Sequence, residues 1–472
     1  MRFLLAGLLL AALLGGCAGA PERAPQKTPD SQVPPTEEEP IFVPEEEAYE
    51  AISLAMSIGD PEAAIAAYQE AELADPEAPD TQVLLANLYL AAGDIDSAEA
   101  ILRGVLDTDP ANDGALYLRS LIAGARGDRD AQTDLLESAL EANPGNAQAQ
   151  ASLGELRLQN REYGAAEEAF AASLEQEPDN LVALIGLGNV KLRTEEPEMA
   201  EEILSRAIDT APDYSFAYAD RSRARAMQYD LERATEDLDR AVELDEDYVW
   251  HRYDRGLVRL EQNDLTGAIE DFSWVIDRDP SVFLTYVYRG RARDRLDQRQ
   301  AAIADYEAAL ERRSDYFPAY APVAVLYFEQ GRFGDAADFF SQAWSGGHPN
   351  DPRDPGMAVL ASLSWKLQGE ETRAREFLEE AAADFPRPSL WYDLARYYLR
   401  PSFDATMLRA IEDEEDRLLK ARMQFYMGGQ YEALESSRSA AAMYREVQDS
   451  ELRGFIETRL ARHRLEQMEA PE

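Results

Sequence analysis

Prolines recur at a fixed interval of 34 residues over the first half of this chain. They are Pro76, Pro110, Pro144, Pro178 and Pro212, and Pro280 continues the series beyond Glu246. Because proline cannot continue a helix, each one is expected where a helix has ended. A period kept without slipping over so many residues predicts a linear array of similar units, each in contact with its neighbours.

Small residues keep the same period at two other places. When units are counted from Glu45, the eighth position holds Ala86, Ser120, Gly154, Gly188, Ser222, Gly256, Gly290 and Ala324. The twentieth position holds Ala64, Ala98, Ala166, Ala200, Ala234, Ala268, Ala302 and Ala336, with Gln132 as the exception. Small side chains let two antiparallel helices approach closely, so each unit is predicted to contain two helices.

A 34-residue helix-turn-helix unit with this layout resembles the tetratricopeptide repeat. The likeness covers nine units in residues 45–350, and an insertion with a tenth unit is predicted in residues 351–388. Residues 389–472 are predicted to hold a degenerate repeat, with Ala421 and Ala433 in its small positions, and C-terminal capping helices, because the end units of such arrays face water. The resemblance implies an all-α fold, a right-handed superhelical solenoid of helix-turn-helix repeats.

The start of the chain has the build of a secretory signal. Residues 1–16 carry Arg2, an apolar run and small residues before Cys17, the only cysteine. The run from Leu14 to Cys17 resembles a bacterial lipobox, which implies removal of the signal and lipidation of Cys17. Ala18 then implies sorting to the outer membrane. The Pro- and Glu-rich residues 17–44 are predicted to form a tether that holds the array in the periplasm.

The net charge limits the partners that the chain can bind. There are 91 acidic and 46 basic residues, which give a formal charge of −45 at pH 7. This charge repels nucleic acid and favours basic or neutral partners. The arginines cluster between residues 215 and 313, where a phosphate site is one interpretation and a structural role is the other.

Some of these arginines match a carboxylate sixteen residues later, on the facing helix. The three predicted ion pairs are Arg221 with Asp237, Arg255 with Asp271, and Arg289 with Asp305. Other units hold apolar pairs at these two positions, such as Leu187 with Ile203 and Val323 with Phe339. Because an isolated buried charge is costly and a hydrogen-bonded pair is tolerated, we expect the three pairs to be structural.

A second set of residues falls on positions that line the concave face of tetratricopeptide arrays. The candidate peptide-binding groove consists of Asp220, Arg223, Met227, Tyr253, Asp254, Tyr288, Arg291, Asp294 and Arg295. Mixed charge with interleaved tyrosine suits peptide recognition better than a phosphate backbone, which the carboxylates would repel. The alternative is a solvated inner wall with no ligand.

No catalytic constellation is found in the sequence. The three histidines are far apart, no phosphate-binding glycine loop is present, and Cys17 is assigned to lipidation. We therefore expect no enzyme activity, no cofactor, no metal and no nucleic-acid partner. The expected function is a membrane-anchored scaffold that binds proteins or peptides in envelope or secretion-system assembly. The alternative is an extracytoplasmic carrier of a small solute or lipid, with Phe216, Trp250, Tyr253 and Phe283 as candidate pocket residues.

Overall fold

The computed structural model describes residues 43–72, 75–346, 353–401 and 404–469. The predicted signal, Cys17 and nearly all of the predicted tether lie outside these residues. The last two tether residues form β1 (Val43–Pro44), which pairs in parallel with β2 (Ala71–Glu72). In the part of the chain that is described, no helix is both long enough and apolar enough to span a membrane.

The described residues form 25 α-helices and are all-α apart from that short strand pair. The helices are α1 (Glu45–Ser57), α2 (Pro61–Glu70), α3 (Pro79–Ala91), α4 (Ile95–Thr108), α5 (Asp113–Ala125), α6 (Arg129–Ala142), α7 (Ala147–Gln159), α8 (Tyr163–Gln176), α9 (Leu181–Arg193), α10 (Pro197–Thr210), α11 (Ser215–Met227), α12 (Leu231–Leu244), α13 (Val249–Glu261), α14 (Leu265–Arg278), α15 (Phe283–Arg295), α16 (Arg299–Arg312), α17 (Tyr320–Glu329), α18 (Phe333–Ser345), α19 (Pro355–Gln368), α20 (Glu371–Ala381), α21 (Leu390–Leu399), α22 (Asp404–Glu412), α23 (Arg417–Ala433), α24 (Ser437–Asp449) and α25 (Ile456–Glu469). Single 3₁₀ turns lie at Phe317–Ala319 and Ala382–Asp384.

The turn between the two helices of each repeat has one conformation throughout the array. Its fifteenth position has a positive φ in all nine repeats: Gly59, Gly93, Gly127, Arg161, Glu195, Tyr229, Asn263, Asp297 and Gly331. Four of these are glycine, which adopts the left-handed region without steric cost. Asn263 and Asp297 also tolerate that region, whereas Arg161, Glu195 and Tyr229 do not favour it, so in three repeats the array imposes the turn against the preference of the residue.

Helix N-termini are capped by side chains at equally regular places. Asp60, Asp94, Asp128, Asp230 and Asp264 occupy the sixteenth position, and each accepts a hydrogen bond from the backbone amide three residues later. Asn112, Asn146 and Asn180 cap first helices in the same way. These caps satisfy amides at the start of the helix that have no partner within it. Part of the acidity of the chain is therefore explained by capping aspartates.

The predicted small positions lie where paired helices cross. All of the alanines predicted at the twentieth position are fully buried. A Cβ at Gly154 would come within 2.7 Å of the Phe170 ring, and a Cβ at Gly256 would come equally close to the Phe272 ring. Glycine is required there because the large residue at the twenty-fourth position occupies the space that a side chain would fill.

The chain folds as two compact units, unit 1 up to Gln228 and unit 2 from Tyr229. In unit 1 each helix pair packs against the next pair, and the buried residues form a series of small cores. Unit 2 begins in the same way, but from Ala302 to Ala461 its buried residues merge into one large core. The region after the ninth repeat is therefore a continuous packed body that includes α25.

The tenth repeat has small residues at its helix crossing, as the other repeats do. Ser362 and Ala374 are fully buried, and the Ser362 hydroxyl donates a hydrogen bond to the Ala374 carbonyl oxygen at 3.0 Å.

The prediction for the degenerate repeat was wrong in register. Its two small positions should lie on two different helices, but Ala421 and Ala433 both lie on α23. The close crossing of α23 with α24 instead uses Gly428, where a Cβ would lie 2.7 Å from the Tyr444 ring. An additional helix pair, α21 and α22, precedes this crossing.

Candidate protein-binding surfaces

Arg255 and Asp271 form a buried bidentate ion pair between α13 and α14. Arg255 Nη2 and Nε lie 2.6 and 3.0 Å from the two carboxylate oxygens of Asp271. The third guanidinium nitrogen, Nη1, lies 2.7 Å from Asp239 on α12. The side chain of Asp271 is 2% exposed. Such a desolvated carboxylate is tolerated only because its oxygens are fully hydrogen-bonded.

The next repeat has the same arrangement. Arg289 Nη2 lies 2.7 Å from Asp305 Oδ1, Arg289 Nε contacts both oxygens, and Nη1 donates to the Ser273 hydroxyl at 3.1 Å. Asp305 is buried. The guanidinium therefore joins two helices of its own repeat to the second helix of the repeat before.

A second arginine, one helical turn later, was missed by the sequence analysis. Arg259 Nη1 lies 2.8 Å from Asp271, and Arg293 Nη1 lies 2.8 Å from Asp305. Each buried aspartate is thus shared by two arginines four residues apart on one helix face. The signal was present, since both arginines occupy the eleventh position of their repeats. The sixteen-residue offset does not reveal these contacts, because each of the two arginines lies twelve residues before its aspartate.

Arg221 and Asp237 belong to different compact units. Arg221, in unit 1, is half-buried and donates to the Ser205 hydroxyl at 3.1 Å. Asp237, in unit 2, is 3% exposed. The ion pair proposed between them stays a prediction.

The three candidate groove residues of unit 1 lie on α11. Asp220 is buried and accepts hydrogen bonds from Arg223 at 2.7 Å and from Asn189 at 2.9 Å. Arg223 is about half exposed, and Met227 is exposed. Asp220 is therefore engaged within the unit, so the surface that a ligand would meet here is the outer edge of Arg223 with Met227.

Aromatic side chains dominate the groove positions of unit 2. Tyr253 is 8% exposed and lies edge-on to Tyr288, with ring centroids 6.1 Å apart. Burial, reinforced by Tyr288 and Asp254, raises the pKa of the Tyr253 hydroxyl. Trp250 packs edge-on against Tyr253 at 5.3 Å and is 40% exposed. Tyr253 is therefore too buried to contact a partner over much of its ring. Trp250 offers the larger exposed ring surface, and Tyr253 packs against it from within the unit.

The two candidate arginines of α15 differ in their surroundings. Arg295 donates to the Leu260 carbonyl at 2.9 Å and to the Asn263 side chain at 2.7 Å, so it binds the end of α13. Arg291 is exposed, and within the described residues it makes no hydrogen bond or ion pair. Asp254 is half-buried. Of the two, Arg291 is the one whose donors remain directed to solvent.

The carboxylate of Asp294 is bound by an arginine of the same unit. Arg459, on α25, approaches both of its oxygens at 2.7 and 2.9 Å and also both oxygens of Glu329 at 2.7 Å. Although burial opposes it, hydrogen bonding to Glu329 and Asp294 raises the pKa of Arg459. The candidate groove as predicted is therefore too long, because α25 covers its acidic end. The remaining accessible part in unit 2 is the surface formed by Trp250, Tyr288 and Arg291, which we call the aromatic–arginine surface.

The candidate pocket aromatics Tyr253 and Phe283, both in unit 2, pack against neighbouring rings. Phe283 packs edge-on against Tyr316 at 5.0 Å, and Tyr253 packs against Phe272 at 6.1 Å. A recess of about 660 Å³ in unit 2 is lined by polar side chains between Asp297 and Gln300, with Ala301 and Gln330. Within the described ranges no three His, Cys, Asp or Glu residues are grouped as metal ligands.

Comparison with known families agrees with the geometry. Two models, each described as a tetratricopeptide repeat, match the chain, the first at residues 55–122 and 157–226. The second matches residues 117–180, 253–316 and 288–355. Together the matched residues make up more than half of the chain. No curated protein matches it significantly.

Several solved structures are similar to parts of the chain. A tetratricopeptide repeat protein from Parabacteroides merdae is 18% identical with a TM-score of 0.40, and the match covers 54% of this chain and 98% of that one. PilW, titled a type IV pilus biogenesis factor, is 18% identical with a TM-score of 0.39, over 43% and 94% of the two chains. MamA is 25% identical with a TM-score of 0.33, over 34% and 95%.

Proposed function

Because the chain belongs to the tetratricopeptide repeat family, whose arrays are scaffolds suited to protein interaction, we propose that it is a membrane-anchored scaffold that captures partner proteins. It is placed in the bacterial envelope by lipidation at Cys17 and serves envelope or secretion-system assembly. The observation that carries the binding proposal is the aromatic–arginine surface of unit 2. The anchoring proposal rests on the sequence of residues 1–17.

The aromatic–arginine surface has the composition of a protein-binding site. Trp250 is 40% exposed although it belongs to a folded helix, and Arg291 is exposed with no hydrogen-bonded partner among the described residues. Tryptophan, tyrosine and arginine are the residues most often found to dominate binding energy. The rings are held in place by packing on Tyr253 and Phe272, so little conformational entropy is lost when a partner binds.

The test is capture of partners in cells by chemical crosslinking, with the captured proteins identified by mass spectrometry. The variant Trp250→Ala with Arg291→Glu removes the exposed ring and reverses the unpaired charge. We expect it to lose at least one partner that the wild type captures. Neither residue makes a buried ion pair, so circular dichroism should show an unchanged helix content.

The matched control is Tyr229→Ala, which removes an aromatic ring that is 86% exposed at the turn before α12. If aromatic exposure alone were responsible, this control would lose the same partners. If the double variant remains folded and captures the full wild-type set, partner binding does not use the aromatic–arginine surface.

A further inference from the structure

A recess of about 370 Å³ lies in unit 2, between the second helices of the ninth and tenth repeats. Trp344 and Ser345 line it from the end of α18, and Phe377 and Glu380 line it from α20. The candidate groove residues all lie on first helices, so the recess is a different part of the surface. Its volume is in the range of sites that bind small molecules.

Two aromatic rings of the recess are held in place by core residues. The Trp344 ring packs edge-on against Phe385 with ring centroids 5.5 Å apart, and the Phe377 ring packs edge-on against Trp365 at 5.1 Å. Phe385 and Trp365 are both buried. Because this packing already fixes the two rings, little conformational entropy is lost when a ligand contacts them.

The charged side chains of the recess give it a net negative charge. Glu380 and Asp384 contribute two carboxylates, and Arg353 contributes one cation. Asp384 Oδ2 accepts a hydrogen bond from Arg353 Nη1 at 3.1 Å. Glu380 is exposed, and within the residues that the structure describes no group donates a hydrogen bond to its carboxylate. The recess therefore favours a ligand that carries one positive charge.

The guanidinium of Arg353 shows which kind of group the Trp344 ring accepts. It lies over that ring, 5.4 Å from the centroid, in a cation–π contact. Its ion pair with Asp384 is open to water, since the two side chains are 42% and 63% exposed. Exposed ion pairs contribute little stability, so a cation from outside can displace the guanidinium from the ring at low cost.

The placement of rings and carboxylates decides between two kinds of cation. Trp344 is buried and Phe377 is half-buried, whereas both carboxylates belong to exposed residues. A primary ammonium is strongly hydrated, so it needs hydrogen-bond acceptors around it when it leaves water. A quaternary ammonium has no N–H group to satisfy, and aromatic rings are well suited to bind it. The arrangement therefore suits the quaternary ammonium better.

We propose that this recess of unit 2 binds a small organic cation of the quaternary ammonium class. The alkylated nitrogen takes the place of the Arg353 guanidinium over the Trp344 ring and contacts Phe377. The carboxylates of Glu380 and Asp384 attract its charge. The site shares no residue with the aromatic–arginine surface, so it adds a small-molecule ligand to the proposed protein scaffold.

The test is isothermal titration calorimetry of the full chain with choline chloride, with the ionic strength held constant by sodium chloride. The matched probe is the neutral carbon isostere of choline, dimethylbutanol, which has the same shape without the charge. We expect choline to bind with a dissociation constant of about 1 mM or lower. The neutral alcohol should bind roughly tenfold more weakly, because it makes no cation–π contact.

Variants of the recess give the second readout. Phe377→Leu removes a ring face and should weaken choline binding about tenfold. Glu380→Gln should weaken it severalfold, whereas Glu379→Gln, at an exposed glutamate of α20 outside the recess, should not change it. Arg353→Ala removes the competing guanidinium and should strengthen choline binding. The same loss of charge in Arg375→Ala, outside the recess on α20, should have no effect.

The source of the cation is given by co-sedimentation with phosphatidylcholine vesicles. Choline binding without vesicle binding assigns the ligand to free solutes, and vesicle binding that choline competes away assigns it to lipid headgroups. Trp250→Ala with Arg291→Glu should bind choline as the wild type does, which separates failure here from failure of the protein-binding proposal.

Three results would overturn the proposal. They are no choline binding at several times the expected dissociation constant, equal binding of choline and the neutral alcohol, and unchanged choline binding in both Arg353→Ala and Glu380→Gln. Arg353 and Glu380 are exposed, so their variants keep the fold and decide the matter even if Phe377→Leu is destabilised. Circular dichroism of each variant checks the helix content.

Discussion

Arg459 binds Asp294 through both terminal guanidinium nitrogens, at 2.7 and 2.9 Å, and so fastens α25 to the first helix of the eighth repeat. The same guanidinium holds Glu329, whose side chain is 3% exposed. An arginine 165 residues away in sequence therefore satisfies two acids that the repeat pattern alone places on an open surface.

The first prediction concerns this contact. Arg459→Ala leaves Glu329 buried without its main counter-charge, and we expect the free energy of unfolding to fall by roughly 2–5 kcal/mol. Hydrogen exchange of the amides in Ile456–Glu469 should accelerate, because α25 loses its strongest tie to the repeats. The control Arg462→Ala removes an exposed arginine of the same helix and should leave both measurements unchanged. Equal exchange in the two variants would show that apolar packing alone holds α25.

The second prediction concerns the shared aspartates. Asp271→Asn removes the negative charge that Arg255 and Arg259 share, and leaves two partly buried cations close together. We expect urea denaturation to show a loss of about 3–5 kcal/mol. The triple variant Arg255→Leu, Asp271→Ile, Arg259→Ala replaces the charged cluster with apolar residues like those that other repeats pair here, and should recover most of the loss. A single variant as stable as the wild type would mean that the ion pair contributes nothing.

The third prediction is a pH dependence of stability. Burial raises the pKa of Glu155 to about 7, above its unfolded value, so ionising this carboxyl costs the folded state free energy as the pH rises through that range. Glu155→Gln should therefore stabilise the protein at pH 8, by up to about 3 kcal/mol given 1.4 kcal/mol per pKa unit. Near pH 4 the two proteins should melt alike. Equal melting differences at both pH values would show that the carboxyl titrates normally.

The fourth prediction uses the repeated left-handed turn. Glu195 has a φ of 61° and is exposed, so Glu195→Gly should remove backbone strain and stabilise the protein by about 1 kcal/mol. The reciprocal change Gly93→Ala, at a φ of 78° with open space around the new Cβ, should destabilise it by a similar amount. Thermal melting should show a higher melting temperature for Glu195→Gly and a lower one for Gly93→Ala. A loss of stability in Glu195→Gly would contradict the proposed strain.

The fifth prediction concerns the membrane anchor. Cys17→Ser removes the thiol that the lipobox resemblance assigns to lipidation, and should convert the protein into a retained precursor or a soluble form. Partitioning between detergent and aqueous phases measures this directly. The wild type should enter the detergent phase, since stable anchoring requires more than one acyl chain. Identical partitioning of the two proteins would refute lipidation.

The sequence by itself determined the repeat, because local rules decide it. Proline spacing, alanine at the twentieth position and glycine opposite Phe170 act within one repeat or between neighbours, and each therefore leaves a periodic trace. The pairs of Arg255 with Asp271 and Arg289 with Asp305 were visible for the same reason, as their partners lie at a constant offset. Arg259 and Arg293 follow the same period.

Only the tertiary structure decided which side chains of each surface are exposed and which charges are paired. Nothing in the spacing of Asp294 indicates that Arg459 binds it, because that contact joins segments outside any common period. Tyr253 and Trp250 are aromatic residues on the same helix, yet their exposure differs because it depends on what packs over each ring. The register of α23 and α24 escaped prediction because Gly428 took the role of the expected Ala421 once the repeat had diverged. A period records contacts between equivalent positions, whereas exposure and charge compensation depend on every element that folds back onto the array.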